Sequence, residues 1–178
     1  MNDIWFCSDH HLGHKSIINF KGYNEDPART IFSSIEEHNE YLVECHNKVV
    51  KPNDKVYMLG DICWNSSSVN YLKRMAGNKF LIMGNHDKQK TKSYLNCVHE
   101  LRGCLYLNEL KAILTHIPVH PGQLEHRFEC NIHGHLHTYN INDPKYLNVS
   151  MEQINYTPIN LEEARLRLKL QKETYEND

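Results

Sequence analysis

The residues of this 178-residue chain that could do chemistry stand in five short groups. They are Asp9-His10-His11, Gly60-Asp61, Gly84-Asn85-His86-Asp87, Thr115-His116-Ile117-Pro118 and His133-Gly134-His135-Leu136-His137. Carboxylate, carboxamide and imidazole groups ligate divalent cations or move protons. Each group alone says little, because Gly-Asp is an ordinary turn and a single His is usually packed or solvated. Together Asp9, His11, Asp61, Asn85, His116, His135 and His137 offer seven oxygen or nitrogen donors, more than one tetrahedral zinc accepts. They suit two divalent ions sharing a bridging carboxylate. The mixture of imidazole and carboxylate fits manganese, iron, zinc, cobalt or nickel better than calcium. Composition points the same way: thirteen His outnumber eight Gly, although Gly alone averages about 7 % of residues.

Donors so far apart in sequence reach one point only if regular elements carry them there. Ile4 to Ser8, Lys55 to Leu59 and Lys79 to Met83 are short apolar runs, each predicted to be a strand that ends at one of the polar groups. Between them lie two helical patterns. In the first, Ser33 and Ser34 each precede a Glu by three residues, and Ile35, Leu42, Val43, His46, Val49 and Val50 line one face before Pro52. The second starts at Ser67 or Ser68 and ends at Gly77, placed as a left-handed cap. Beyond residue 97 the runs are shorter and more β-like: Cys104 to Leu107, Ala112 to Thr115, Asn131 to His133 and Tyr146 to Met151. A final helix begins at Asn160, with acids in its first turn and Arg165, Arg167, Lys169 and Lys172 on a solvated face. Strand, helix, strand, helix, strand implies an α/β core, whose ligand site lies at the strand ends. Glycines 60, 84 and 134 sit beside the donors, where backbone must turn tightly or come close to a ligand.

Composition narrows the alternatives. Twenty Lys and Arg against 22 Asp and Glu leave a net charge of −2, without the basic field that holds polynucleotides non-specifically. The longest apolar runs, such as Phe80 to Met83, fall far short of the ~20 residues of a membrane span. The N-terminus lacks the basic region of a secretory signal. Six cysteines form no C-x-x-C pair, as in a protein of reduced thiols. The expectation is one soluble, cytoplasmic domain covering residues 1–178.

The ordered set D-x-H, G-D, G-N-H-D, H-x-P and G-H-x-H, running from Asp9 to His137, resembles the calcineurin-like metallophosphoesterases. The Gly13-His14 pair and the Pro158 to Glu163 helix entry resemble small bacterial and phage members. The resemblance implies a four-layer αββα sandwich, two mixed sheets packed face to face with helices outside. It implies that Asp9, His11 and His137 hold one metal, Asn85, His116 and His135 the other, and that Asp61 bridges them, with manganese the first candidate. Two ions acidify a bridging water and clamp the oxygens of an in-line displacement at phosphorus. His86 would act as the acid for the leaving oxygen, with Asp87 holding its imidazole, and His14 would touch a substrate phosphate.

The remaining residues have plainer readings. His10 turns away from the metals, His133 supports the centre without ligating, and Trp5 and Phe6 belong to the core. Trp64 and Tyr23 are candidates to stack on a base, Lys88, Lys90 and Lys92 to guide an anion, and His120, His126 and Arg127 to form a rim. The expected substrate is a small, nucleotide-like phosphodiester. Phosphomonoesters or nucleic acid on the same site, or a non-catalytic protein-interaction scaffold, are the alternatives.

Overall fold

The computed structural model describes residues 2–22, 28–87 and 91–177, which form two mixed β-sheets with helices around them. The first sheet contains β1 (Ile4–Cys7), β2 (Lys55–Met58), β3 (Asn78–Ile82), β4 (Glu100–Arg102) and β9 (Ile159–Asn160), in the order β4-β3-β2-β1-β9. The second contains β5 (Leu105–Leu107), β6 (Ala112–Leu114), β7 (Cys130–His133) and β8 (Tyr146–Asn148), in that order. β1 to β4 run parallel, and so do β6 to β8; β9 and β5 are antiparallel edges.

Parallel strands buried on both faces read as continuous apolar runs, which is why β1, β2 and β3 are legible in the sequence. Trp5, Phe6, Cys7, Val56, Met58, Leu81 and Ile82 are buried, and one hydrophobic cluster joins them to Leu114, Ile132 and Leu147 of the second sheet. Trp5 and Phe6 are core residues, as expected. The strands that the apolar pattern misses, β4 and β9, are both edges. Glu100-Leu101-Arg102 is charged at both ends, as unpaired edges tend to be, and β9 is only two residues long.

α1 (Ile35–Val49) starts at Ser34, whose hydroxyl accepts from the Glu37 amide at 3.1 Å. The Glu37 carboxylate reaches back to the Ser33 amide at 2.8 Å, so the two serines divide one capping box. α2 (Val69–Arg74) is shorter than its pattern. Ser68 makes no side-chain cap; its own amide donates instead to the Asn65 carboxamide at 2.9 Å. Gly77 does take the left-handed conformation, at φ +90°. After the short α3 (Thr91–Tyr94) come the second-sheet strands and then α4 (Leu161–Asn177), whose Arg and Lys side chains pair with Glu three or four residues away on an exposed face.

Among the described residues no helix is long and apolar enough to cross a membrane. All six cysteines are unpaired.

Candidate metal centre

Parallel register brings the donor groups together. Cys7 pairs with Met58 and Met58 with Leu81, so the chain beyond β1, β2 and β3 leaves one edge of the sheet with Asp9, Asp61 and Asn85 side by side. Leu114 pairs with Ile132, which does the same for His116 beyond β6 and His135 and His137 beyond β7. A bridge from Ser8 to Ser150 joins the ends of the two sheets. The loops also bond directly: Asp9 N donates to Gly60 O (3.0 Å), His11 N to Asp61 O (2.9 Å) and Gly134 N to His116 O (3.0 Å).

Aiming each side chain back over the strand ends needs unusual backbone. Asp9, His11, Asp61, His135 and His137 all have positive φ, between 49° and 70°. This left-handed region is uncommon for side-chain-bearing residues and costs of order 1–3 kcal/mol each, so it persists only where the surroundings over-determine it. Close approach makes a similar demand at two glycines. A Cβ on Gly84 would fall on the Asp61 carboxylate, and one on Gly134 would fall on Ser8 Oγ and the Asp9 carboxylate.

The resulting centre is buried and rich in lone pairs without partners. Asp9 Oδ2 accepts from His135 N (2.8 Å) and Ser150 Oγ (3.0 Å), whereas Asp9 Oδ1 and His11 Nε2 are buried with no hydrogen-bond partner. Oδ1 lies 3.8 Å from both His11 Nε2 and His137 Nε2, and these three residues can hold one cation. On the other side His116 Nε2 is 2.9 Å from Asn85 Oδ1 and 3.3 Å from Asp61 Oδ2. His116 Nδ1 donates to Leu59 O (2.8 Å) and His137 Nδ1 to Glu152 Oε1 (2.9 Å), so each ring turns Nε2 towards the centre. A carbonyl or carboxylate on the far nitrogen is what orients a ligating imidazole. With Nε2 of His116 facing the Asn85 and Asp61 oxygens, which only accept, a proton on the ring or a metal between them satisfies all three.

Electrostatics agree with a cation-demanding site. Burial alone would raise the Asp9 carboxyl, but the His11, His137 and His116 rings hold it below the usual carboxylate range. Asp61 is likewise lowered against burial, by His116, the His86 amide and His11. Burial would lower His116, yet Asp61 and Asp9 raise it. His11 is lowered, chiefly by burial. The donor set, its orphaned atoms and its ring orientations therefore fit divalent cations. His135 contributes its amide to Asp9, and its ring packs edge-on against His116 at 5.1 Å.

His86 is 43 % exposed, with Nε2 3.9 Å from Asp61 Oδ2, so its ring stands at the open side of the centre. Asp87 corrects the expectation made for it. Its carboxylate is fully buried and accepts from the amides of Asp61 (2.7 Å), Ile62 (3.2 Å) and Gly84 (2.9 Å) and from Tyr94 OH (2.5 Å). These bonds tie the Asp61 and Asn85 loops together, so Asp87 is a strut beneath the site and not the holder of the His86 ring.

His14 stacks on Trp64 with ring centroids 3.6 Å apart and planes within 6°, and Trp64 lies 4.9 Å from His86. Burial, then the neighbouring rings and Arg29, push His14 down to about 4. His133 is buried and donates to Gly134 O (2.8 Å). His120 caps the turn at Pro121–Leu124, accepting from the Gly122 amide at 3.2 Å, while His126 and Arg127 line a groove of about 930 Å³ against α4 that includes none of the candidate ligands. The rim assigned to His126 and Arg127 is thus elsewhere. Lys92 is exposed on α3; Tyr23, Lys88 and Lys90 fall outside the described residues.

Two residues without any sequence signal complete the site. Arg29 is fully buried, donating to Asp9 O (2.5 Å), His10 O (3.0 Å) and Glu152 Oε1 (2.8 Å). Glu152, held down at about 2 because Arg29 and His137 outweigh the effect of burial, links this guanidinium to the His137 ring.

Comparison with known proteins agrees with the fold. The model of the calcineurin-like phosphoesterases matches residues 3–173, and the chain belongs to this family of metal-dependent phosphoester hydrolases. It is 30 % identical to an uncharacterized protein of Methanocaldococcus jannaschii, over 91 % of this chain and 89 % of that one. It is 34 % identical to the Gene 66 protein of Mycobacterium phage L5, over 49 % of this chain and 41 % of the phage protein. Among solved structures it resembles a protein of unknown function from Aquifex aeolicus (26 % identity, TM-score 0.66, 93 % of this chain and 98 % of that). The fold is also that of an archaeal phosphodiesterase (18 % identity, TM-score 0.50, 83 % and 82 % covered).

Proposed function

We propose that the chain is a dinuclear phosphodiesterase acting on small, nucleotide-like phosphodiesters in the cytoplasm as a single domain. The observation that carries this reading is a pair of buried donor clusters, Asp9–His11–His137 and Asp9–Asp61–His116, that share the Asp9 carboxylate. Asp9, His11 and His137 would hold one ion, Asn85, His116 and His135 the other, and Asp61, with His116 on one side and His11 on the other, would bridge them. When bound, two divalent ions, manganese first among them, supply positive charge for the phosphoryl oxygens and acidify water at neutral pH.

The protein's own residues do the rest. His86 reaches from the open side towards the phosphoryl group, where its ring donates a proton to the departing oxygen. Asp87 and the close approach of Gly84 fix the loop that carries it. Glu152 and Leu59 O keep the His137 and His116 rings oriented. The flat His14–Trp64 pair beside the exposed His86 suits a planar group such as a nucleobase on a small substrate.

Metal-depleted protein given manganese, nickel, zinc or magnesium separately should recover cleavage of bis(p-nitrophenyl) phosphate in preference to p-nitrophenyl phosphate. Two bound ions per chain with no cleavage of either would overturn the assignment.

A further inference from the structure

His10 stands between two candidate ligands, yet its ring turns to the opposite side of the loop, into the core. There it meets Cys7 from β1 and His46 from α1, and none of the three is more than 1 % exposed. One ligand atom from each lies within 4.8 Å of the other two. His46 Nε2 is 2.9 Å from Ala76 O; a carbonyl only accepts, so Nε2 carries the proton and Nδ1 keeps a bare lone pair. Nδ1 of His46 and Nδ1 of His10 are both buried without a hydrogen-bond partner. Orphaned buried polar atoms of this kind cost about 1–3 kcal/mol each, and two of them on rings that each bring a ligand atom close to a buried thiol share an evident way of being satisfied.

We propose that Cys7, His10 and His46 form a further metal site, distinct from the phosphoesterase centre, that takes one thiophilic divalent ion, zinc foremost. Tetrahedral zinc with Zn–S of about 2.3 Å and Zn–N of about 2.0–2.1 Å sets its ligand atoms about 3.3–3.6 Å apart. Closing the cluster therefore asks each pair to move together by no more than about 1.5 Å, from the bound just given. The backbone carbonyl behind His46 is the usual partner of a ligating imidazole. Arg29 and Lys79 lie near His10 and His46 and oppose an added cation, and burial holds Cys7 as the thiol, so the ion must displace the Cys7 proton and take the resulting thiolate to balance part of its charge. A sulfur ligand also discriminates: it favours zinc or cobalt over the harder manganese or magnesium. Such an ion would pin β1 and α1 to the Asp9–His11 loop. Because its ligands are enclosed, it would enter as the chain folds.

The test uses the whole chain produced in cobalt-supplemented medium, read by elemental analysis and by the near-ultraviolet thiolate-to-cobalt charge-transfer band. The seven donors of the phosphoesterase centre include no cysteine, so the band is blind to that centre. Three ions per chain with the band are expected. Cys7→Ser and His46→Gln should each drop the count to two and abolish the band, with phosphodiester cleavage retained. Two ions and no band in the unaltered chain would overturn the proposal, as would a band that survives both substitutions. A chain that shows the band but cleaves no phosphoester would refute the activity and leave this site standing.

Discussion

Replacing Arg29 by Met should be among the most damaging single changes outside the ligands themselves. The side chain is fully buried, and its guanidinium neutralises Glu152 while donating to the carbonyls of Asp9 and His10. Glu152 sits at about 2 instead of its ordinary 4.5, so its attractions exceed its burial cost by about 3 kcal/mol at 1.36 kcal/mol per unit. Arg29→Met removes the largest of those attractions and orphans two carbonyls of the ligand loop. Leaving a buried ion without its partner costs about 3–5 kcal/mol, against a total stability of about 5–15 kcal/mol. Glu152→Gln takes away the stranded charge, so the double variant should be less damaged than the sum of the singles, with a coupling of about 2 kcal/mol. Urea unfolding of metal-depleted protein at pH 7.5 measures all four corners of the cycle. An Arg29→Met cost below about 1 kcal/mol, or strict additivity, would refute the reasoning.

Four shorter tests follow from the same geometry. His86→Ala should lower kcat by about 10²–10⁴ with two ions still bound; unchanged turnover removes it as the acid. Asp61→Asn should deplete both metals, and elemental analysis that still finds two ions per chain would contradict bridging. Gly84→Ala drives a methyl into the Asp61 carboxylate and should cost metal occupancy, whereas Gly103→Ala, where an added Cβ has open space, should not; equal occupancy in the two variants would rule out the close-approach argument. Acid should unfold the protein early. Burial pushes His38 down to about 3 and His46 to about 4, so as pH falls below 6.5 the unfolded chain takes up protons that the folded chain refuses. Stability should be complete above pH 6.5 and fall by about 2 kcal/mol per ring between pH 6.5 and 5, with the loss of Glu152 adding only below 4.5. A flat urea midpoint from pH 7.5 to 5 would disprove this.

Much of the architecture is written locally. The runs at Ile4, Lys55 and Lys79 are apolar because their strands are covered on both faces, and the Ser34 cap and the left-handed Gly77 act within a turn of their own helices. The candidate ligands are equally legible, because a metal centre needs a few residue types at the ends of successive strands, and that spacing survives in one dimension. Arg29 and Glu152 are different. They lie 123 positions apart in polar stretches that resemble any solvated loop, and only the packed chain turns them inwards. Asp87 shows the same limit: adjacency to His86 in sequence implied a partnership, but a left-handed Asp61 and the approach of Gly84 direct its carboxylate to backbone amides. Residue type and spacing thus determined which side chains could meet a cation. Tertiary structure alone decided which buried partners orient them, because hydrogen bonds and desolvation act between neighbours in space, whatever their separation along the chain.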